Sequence, residues 1–280
     1  MPLAIEAPLG VADAVGLLAA EPDRVIVAGG TDLLPALHDG RVRAERLLSL
    51  ERLREIHAVG RTGEGGLFIG AGVSATVLVE VLEPLLPALA AAAAVIGPPG
   101  VRNAATVGGN LVSAAGGDLL AVLVAVGAVA VLESAAGRRE TTVEQFLSAV
   151  DDTGRPDLRP GELVAGVRID RMPADARFAR LAVPGHRVLS LAMARDAHHP
   201  EIRVAVCAGR RVPVRAAAAE AVIGAELRRV GRNIEPEVLI AFGRAVGEAA
   251  GTADSVPVQY ARHAADVCAQ RLLARMVGDE

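Results

Sequence analysis

Twice in this chain an apolar run ends on a pair of glycines followed by small polar residues. The first is VIVAGGTDLLPAL (Val25 to Leu37) and the second AATVGGNLVSAAGGDLL (Ala104 to Leu120). Glycine lets the backbone take positive φ and lets a ligand approach the peptide closely. Successive N–H groups in such a turn, or at the start of a helix beyond it, converge on one point and favour an anion. Thr31 can cap the following helix or donate its hydroxyl to a phosphate. Around the second pair, Thr106 and Asn110 flank the glycines, and Ser113 and Asp118 follow. One such loop by itself reads more readily as a strand-to-helix turn without a ligand. Two of them point to one ligand with a diphosphate and several hydroxyls.

A third glycine pattern lies between them. IGAGVSA (Ile69 to Ala75) matches the dinucleotide fingerprint G-x-G-x-x-A after a strand and before a helix. That fingerprint wants an acidic residue about 20 residues on, at the end of the next strand. Here the stretch is ALAAAAAV, with no acid. These glycines read instead as places where strand and helix pack closely.

Composition narrows the chemistry. The chain has 280 residues, 52% of them hydrophobic, enough for two or three compact domains. Aromatics are 2%, too few for a single-stranded nucleic-acid platform on which bases stack. There is no lysine: all 29 basic residues are arginine, so Schiff-base chemistry is excluded. The net charge of −4 leaves no electrostatic footprint for DNA. Cys207 and Cys268 lie far apart in sequence and cannot supply the four thiolates an iron–sulfur cluster needs. A cytoplasmic location fits the lack of a disulfide framework. The N-terminus lacks a basic flank and carries Glu6 and Asp13, unlike a signal peptide. The longest apolar run, Leu119 to Leu132, is shorter than the ~20 residues of a membrane helix, so no membrane insertion is expected.

Along the chain, VADAVGLLAA has helical spacing, RVIVA and RLLSL read as strands, and TDLLPALHDG as a turn plus a short helix. HAVGRTGEGGLFIGA reads as a hairpin. SATVLVEVLEPLLPALAAAAAVIG reads as helical until Pro98-Pro99-Gly100 stops it. Leu119 to Ala125 reads as a buried helix, Ala128 to Glu133 as a strand, GRRE as a turn, and TVEQFL as a short helix with Thr142 at its N-cap. A polar connector, DDTGRPDLRPGE, leads into the strand ELVAGVRID. Beyond it VLSLAMARDA and IRVAVCAG are strand-like, joined through HHPE, and Ala-, Arg- and Glu-rich helices follow. His198-His199 reads as a solvated hairpin tip, Asp151-Asp152 as solvated, Glu162 as structural, and Tyr260 as a helix-packing residue. No catalytic residue and no metal site can be argued from spacing.

The two loops together resemble the FAD-binding medium subunit of molybdenum hydroxylases, the family of the carbon monoxide dehydrogenase flavoprotein and the xanthine dehydrogenase flavin domain. VAGGTDLLPAL is similar to that family's first FAD loop. IGPPGVRNAATVGGNLVSAAGGDLLAVLVAVGAVAVL is similar to its second, with RNxATxGGN intact from Arg102 to Asn110. GRRETTVEQFL, LRPGELVAGVRI, VPVRAAAAEAVIG and DSVPVQYARHAADVCAQRLL fall in family order. The chain departs from the family at SAAGGD, which lacks the usual Pro and is about one residue shorter, and at PPG, where polar residues are common.

The resemblance implies an α+β fold. Two small α/β subdomains, about 1–55 and 56–173, would form an FAD site within an FAD-binding domain of residues 1–173. A C-terminal domain, 174–280, would carry a small antiparallel sheet and packed helices. It implies that Val27, Ala28, Gly29, Gly30, Thr31, Asp32 and Leu33 wrap the pyrophosphate and adenosine side of FAD. Thr106, Gly109 and Asn110 would bind the pyrophosphate and ribityl region, with Ser113 nearby and Asp118 on a flavin-side hydroxyl. Ile96 and Val101 would lie near the flavin, and Arg187 falls in the region where some relatives have a lysine. It implies electron transfer from a [2Fe–2S] small subunit, fed by a molybdopterin large subunit, through FAD to an external acceptor. A stand-alone flavoenzyme and a homologue without FAD stay open as alternatives.

Overall fold

The computed structural model describes residues 3–63, 65–113, 117–148, 156–184, 186–196, 201–209, 212–230, 234–251 and 256–278. Its first elements are β1 (Ala4–Glu6), α1 (Val11–Ala20), β2 (Val25–Val27), α2 (Leu33–His38) and β3 (Arg46–Ser49). The strands form a three-stranded sheet of order β1-β3-β2, parallel throughout, with Ile5 opposite Leu47 and Val25 opposite Leu47. The central strand is buried on both faces, as a parallel sheet requires: Leu47 and Leu48 point to opposite sides and both are buried. Each such leucine contributes about 1.5–3 kcal/mol of burial. The strand β1 is not legible in the sequence, because its three residues are exposed or half-buried and show no apolar pattern.

After a 3₁₀ turn, Arg54–His57, come β4 (Val59–Arg61), β5 (Leu67–Gly70), α3 (Ala75–Leu82), α4 (Pro87–Ala94), α5 (Pro99–Ala104) and α6 (Val107–Val112). The hairpin β4–β5 is antiparallel, as its glycine-rich turn predicts. The expected single helix from Ser74 to Gly97 is two, interrupted around Pro84, where the chain turns before Pro87 opens α4. Pro98-Pro99-Gly100 does not simply stop a helix. Pro99 starts α5 at the first helical position, where a missing N–H costs nothing.

Next are α7 (Leu120–Ala125), β6 (Val129–Ser134), β7 (Gly137–Thr142), α8 (Val143–Ser148) and β8 (Leu163–Ile169). GRRE lies in the strand β7, not in a turn; it pairs antiparallel with β6 through Leu132↔Arg139 and Glu133↔Arg138. Exposed edge strands tolerate such charge, which hides this one from a reading based on apolar periodicity. Thr142 does cap α8: its Oγ accepts the Gln145 N–H at 3.1 Å. Together the strands make a five-stranded antiparallel sheet of order β4-β5-β8-β6-β7.

The remaining elements are β9 (Asp175–Val183), β10 (His186–Arg195), β11 (Ile202–Ala208), β12 (Val214–Arg215), α9 (Ala217–Val230), α10 (Pro236–Ala250) and α11 (Val258–Gly278). They build a four-stranded antiparallel sheet, β12-β11-β10-β9. Its apolar core runs from Val188, Leu191, Val204 and Val206 to Phe242, Val246 and Leu273 on the helices. The strand β9 is not legible in the sequence, because arginines interrupt its alternation. On α10, a Cβ at Gly247 would fall 2.7 Å from the Arg262 carbonyl oxygen, so this glycine lets α10 and α11 approach closely. His198-His199, Asp151-Asp152 and the side chain of Arg187 lie outside the described residues.

The chain divides into two compact units. One comprises Met1–Val81, Ala93–Gly117 and Ala128–Arg171 and holds the parallel and five-stranded sheets. The other comprises Leu82–Ala92, Asp118–Gly127 and Met172–Glu280 and holds the four-stranded sheet with α7, α9, α10 and α11. The fold class is α+β.

Candidate cofactor site

In the first unit the parallel sheet delivers the first glycine loop. The N–H of Leu50 reaches the Val27 carbonyl at 2.9 Å and extends the β2–β3 ladder, and beyond it Ala28 to Asp32 turn into α2. Gly30 has φ of +69°, a conformation L side chains rarely adopt. The Gly30 carbonyl accepts the Leu34 N–H at 2.9 Å, starting the helix. Thr31 does not cap α2. The N-cap is Asp32, and its side chain makes no cap hydrogen bond.

Gly29 explains the first half of the glycine pair. A Cβ there would sit 1.7 Å from the Ala104 carbonyl oxygen, so the loop lies directly on the backbone at the end of α5. At Gly30 a Cβ would meet only side-chain atoms, the nearest at 2.9 Å on Leu34, which can rotate. Among the described residues, none of the backbone N–H groups from Gly29 to Leu33 has an acceptor. Main-chain donors left unmatched in a half-buried loop call for an external partner. They fit a ligand carrying phosphate oxygens.

The second loop differs from the backbone cradle expected of it. Thr106 is the N-cap of α6, and its Oγ accepts the Gly109 N–H at 3.1 Å. Val107 N–H bonds Val73 O at 3.0 Å, Gly108 N–H bonds Ala71 O at 2.8 Å, and Asn110 N–H bonds Thr106 O at 2.8 Å. The amides are thus engaged within the fold. Gly108 is needed because its Cα lies against Ala71, where a Cβ would come within 2.8 Å of the Ala71 Cβ. What this loop presents is side chains: Thr106, whose hydroxyl proton is still available to donate, and Asn110.

The same contact explains the decoy. Ala71 and Val73, the alanine and valine of IGAGVSA, are the acceptors that hold the second loop. Gly70 packs on the Ile56 backbone, and Gly72 lies against the His57 ring, with a hypothetical Cβ 2.6 Å from its Cε1. The strand before this motif pairs antiparallel with both neighbours, so there is no parallel crossover unit to bind a dinucleotide. Close packing is what the glycines serve.

Ile96 is buried and Val101 is half-buried, at the turn before α5 and on the helix itself. Arg102 fixes the turn: its guanidinium donates to Gly97 O at 2.6 Å and to Ile96 O at 3.5 Å. Gly97 there has φ of +45°. Asn103 accepts the Thr76 hydroxyl at 2.6 Å. The RNxATxGGN motif therefore carries structural residues in its first half, a division its spelling does not reveal.

The structure also brings Ser113 to the first loop. Its Oγ donates to Asp32 Oδ2 at 2.6 Å, across 81 positions of sequence. Asp118 belongs to the second unit, where it faces the Arg180 guanidinium at 3.7 Å. Arg180 carries no signal in the sequence, because nothing ties an arginine in β9 to an aspartate before α7 until the sheet forms. Glu162 is structural, as expected. It is 6% exposed and held by Arg139 through bonds of 2.9 and 2.7 Å. Tyr260 is largely exposed on α11. Among the described residues no group of His, Cys, Asp and Glu side chains is placed to hold a metal ion. No described helix is long and apolar enough to cross a membrane.

A loop of free amides on a small parallel sheet, packed against a second glycine loop held by the five-stranded antiparallel sheet, defines a candidate phosphate-binding site of a type distinct from the Rossmann crossover. Residues 2–172 match the family described as the FAD binding domain in molybdopterin dehydrogenase, and the chain belongs to that family. It is 39% identical over 107 residues to the xanthine dehydrogenase FAD-binding subunit of Escherichia coli O157:H7, covering 38% of this chain and 37% of that protein. It is 30% identical over 192 residues to the nicotinate dehydrogenase FAD-subunit of Eubacterium barkeri, covering 67% of this chain and 64% of the relative. The matched stretches thus span about a third to two thirds of these relatives' own lengths. Among solved structures, the carbon monoxide dehydrogenase of Hydrogenophaga pseudoflava lacking the Mo-pyranopterin moiety superposes with a TM-score of 0.82 at 25% identity, covering 99% of this chain and 98% of that one. The quinoline 2-oxidoreductase of Pseudomonas putida 86 has the same fold, with a TM-score of 0.85 at 22% identity, covering 99% and 98%. FAD is the cofactor, and the free amides of the first loop fit its phosphates.

Proposed function

We propose that this chain is the FAD-binding electron-transfer subunit of a molybdenum hydroxylase, taking electrons from a [2Fe–2S] small subunit served by a molybdopterin large subunit. The observation that carries this reading is the run of unmatched amides from Gly29 to Leu33, within a fold whose relatives are named as subunits of xanthine, nicotinate and carbon monoxide dehydrogenases. Bound FAD supplies the redox chemistry, exchanging one or two electrons at a time. Residues 27–33 hold the diphosphate and adenosine side. Thr106, Gly109 and Asn110 approach the pyrophosphate and ribityl region, and Ile96 and Val101 the flavin.

Residues 1–173, as subdomains of about 1–55 and 56–173, form the FAD-binding domain, and 174–280 the C-terminal domain. The parallel and five-stranded sheets support that subdivision. A cytoplasmic location accompanies this reading, supported by two free cysteines.

The reading also accords with a sequence in which spacing justifies no acid–base pair beside the flavin. An enzyme that oxidises its own organic substrate normally positions a base within hydrogen-bond reach of the proton it removes. An electron relay needs none. Purified subunits test it. Dithionite should bleach the flavin of the isolated chain. Organic substrate should bleach it only when the molybdenum and iron–sulfur subunits are both present. Substrate-driven bleaching of the isolated chain would overturn the relay in favour of a stand-alone enzyme.

A further inference from the structure

Leu34, the second residue of α2, is 52% exposed. A lone leucine on a surface needs no explanation. This one does not stand alone. Its N–H is bonded to the Gly30 carbonyl at 2.9 Å, and its side chain folds back over Gly30. The place a Gly30 Cβ would take lies 2.9 Å from both Leu34 Cγ and Leu34 Cδ1, and 3.6 Å from Val27 Cγ2. Leu34 and the half-buried Val27 therefore converge over a residue that has no side chain of its own. Together they make an apolar surface from the last residue of β2 to the first turn of α2, flanking the unmatched amides of residues 29–33. Of the residues of α2 only Ala36 is buried in the fold.

We propose that Leu34 and Val27 form the surface on which the adenine base of FAD rests, with Leu34 the residue that favours the dinucleotide. The inference rests on the FAD reading above and deepens it. Leu34 lies one residue beyond the loop that the family resemblance implies. The physical reason is reach. In FAD the adenine is joined to the diphosphate through a single ribose, whereas the isoalloxazine stands off by the longer ribityl chain. An apolar surface beside phosphate-binding amides is met by the adenine first. The base offers a flat, weakly hydrated face, and covering exposed aliphatic carbon with it is favourable. Residues 25–41 contain no Phe, Tyr or Trp, so within this segment aliphatic carbon is what can meet that face.

The test uses the full chain, stripped of flavin. Leu34→Ala should raise the FAD dissociation constant about five- to tenfold, the scale of the aliphatic carbon withdrawn from the contact. Its FMN dissociation constant should stay within about twofold of the wild-type value, because FMN has a phosphate but no adenine. Leu34→Met keeps the apolar surface and should hold FAD within about twofold. Urea unfolding of the flavin-free variants should match the wild type, since the side chain is half exposed. Photolysis of bound 8-azido-FAD, which carries its azide on the adenine, should label the tryptic peptide from Val25 to Arg41. Equal losses for FAD and FMN, or a matching loss of stability without flavin, would make Leu34 a support of the loop, and the adenine contact falls. Undiminished FAD affinity in Leu34→Ala, or label confined to other peptides, overturns it as well. Failure of the wild-type chain to take up FAD overturns the cofactor reading itself.

Discussion

Gly29 and Gly30 are neighbours with different duties, and substitution separates them. A methyl at Gly29 collides with the Ala104 carbonyl oxygen, a backbone atom that cannot rotate away. The loop or α5 must shift, so Gly29→Ala should lose about 1–3 kcal/mol of stability, the range for forced overpacking, and FAD binding with it. Gly30→Ala meets only the exposed, rotatable Leu34 side chain but forces an L residue to φ of +69°. It should cost about 1–2 kcal/mol, fold, and bind FAD more weakly because the methyl enters the phosphate approach. Urea unfolding and FAD titration of the two variants distinguish the roles. A Gly30→Ala chain with undiminished FAD affinity would remove that loop from the site. Arg102 makes the same point for side chains. Its guanidinium donates to the carbonyls of Ile96 and Gly97, a role fixed by the folded turn and not by its place in the motif.

Between elements, the most concentrated polar contact fastens the connector before β8 to β7. Arg139 on β7 reaches both carboxylate oxygens of Glu162, Asp157 Oδ2 at 3.0 Å and the Asp157 carbonyl at 2.7 Å. The Arg159 N–H adds a bond of 2.9 Å to Glu162. Burial by itself pushes the Glu162 carboxyl up, but the Arg139 hydrogen bonds, the Arg159 N–H and the two positive charges outweigh it and hold the group below its ordinary value. Glu162 in turn raises Arg139. A carboxyl depressed in the folded state stabilises the protein above its unfolded pKa, about 4.3 for glutamate, and that contribution disappears as pH falls through the folded value. Glu162→Gln should therefore cost about 1.5–3 kcal/mol at neutral pH, the scale of lost charged hydrogen bonds. The gap between wild type and variant should stay constant above about pH 5 and shrink below about pH 4.3. Chemical unfolding at a series of pH values measures it. A gap independent of pH would show that the ion pair is not what holds the connector.

At the scale of the molecule, the proposed FAD site draws on loops from two differently built sheets. The parallel sheet offers open amides, and the five-stranded sheet offers a loop whose amides are already bonded to Ala71, Val73 and Thr106. Binding of FAD should accordingly be recorded unevenly by amide exchange. Protection should rise over residues 29–33 and change little at Val107 and Gly108, which are bonded without it. Bound ligand also stabilises the native state by mass action, about 2.7 kcal/mol at a hundredfold excess over its dissociation constant. Hydrogen exchange with mass spectrometry, with and without FAD, reads both. Equal protection of the two loops would mean that the second opens its own amides to the cofactor.

The sequence by itself determined the elements whose pattern is local. The helix at Val11–Ala20, the strands Val25–Val27 and Arg46–Ser49, the β4–β5 hairpin and the Thr142 cap follow from apolar spacing, turn glycines and a hydroxyl three residues before the N–H it accepts. It also marked both glycine loops, because two departures from ordinary composition recur in one chain. Only the tertiary structure decided what each glycine is for. Whether a missing Cβ would meet a movable side chain, as at Gly30, or a packed neighbouring segment, as at Gly29 and Gly108, depends on what lies opposite, and at Gly29 and Gly108 that partner comes from distant sequence. Two further outcomes have the same cause. The Asp32–Ser113 and Arg180–Asp118 pairs join residues that no periodicity relates. The strands β7 and β9 carry charge that only their place at a sheet edge makes tolerable. A hydrogen-bond donor is free or engaged only relative to its folded neighbours. The open amides at Gly29–Gly30 and the bonded amides at Gly108–Gly109 are therefore indistinguishable until the chain has folded.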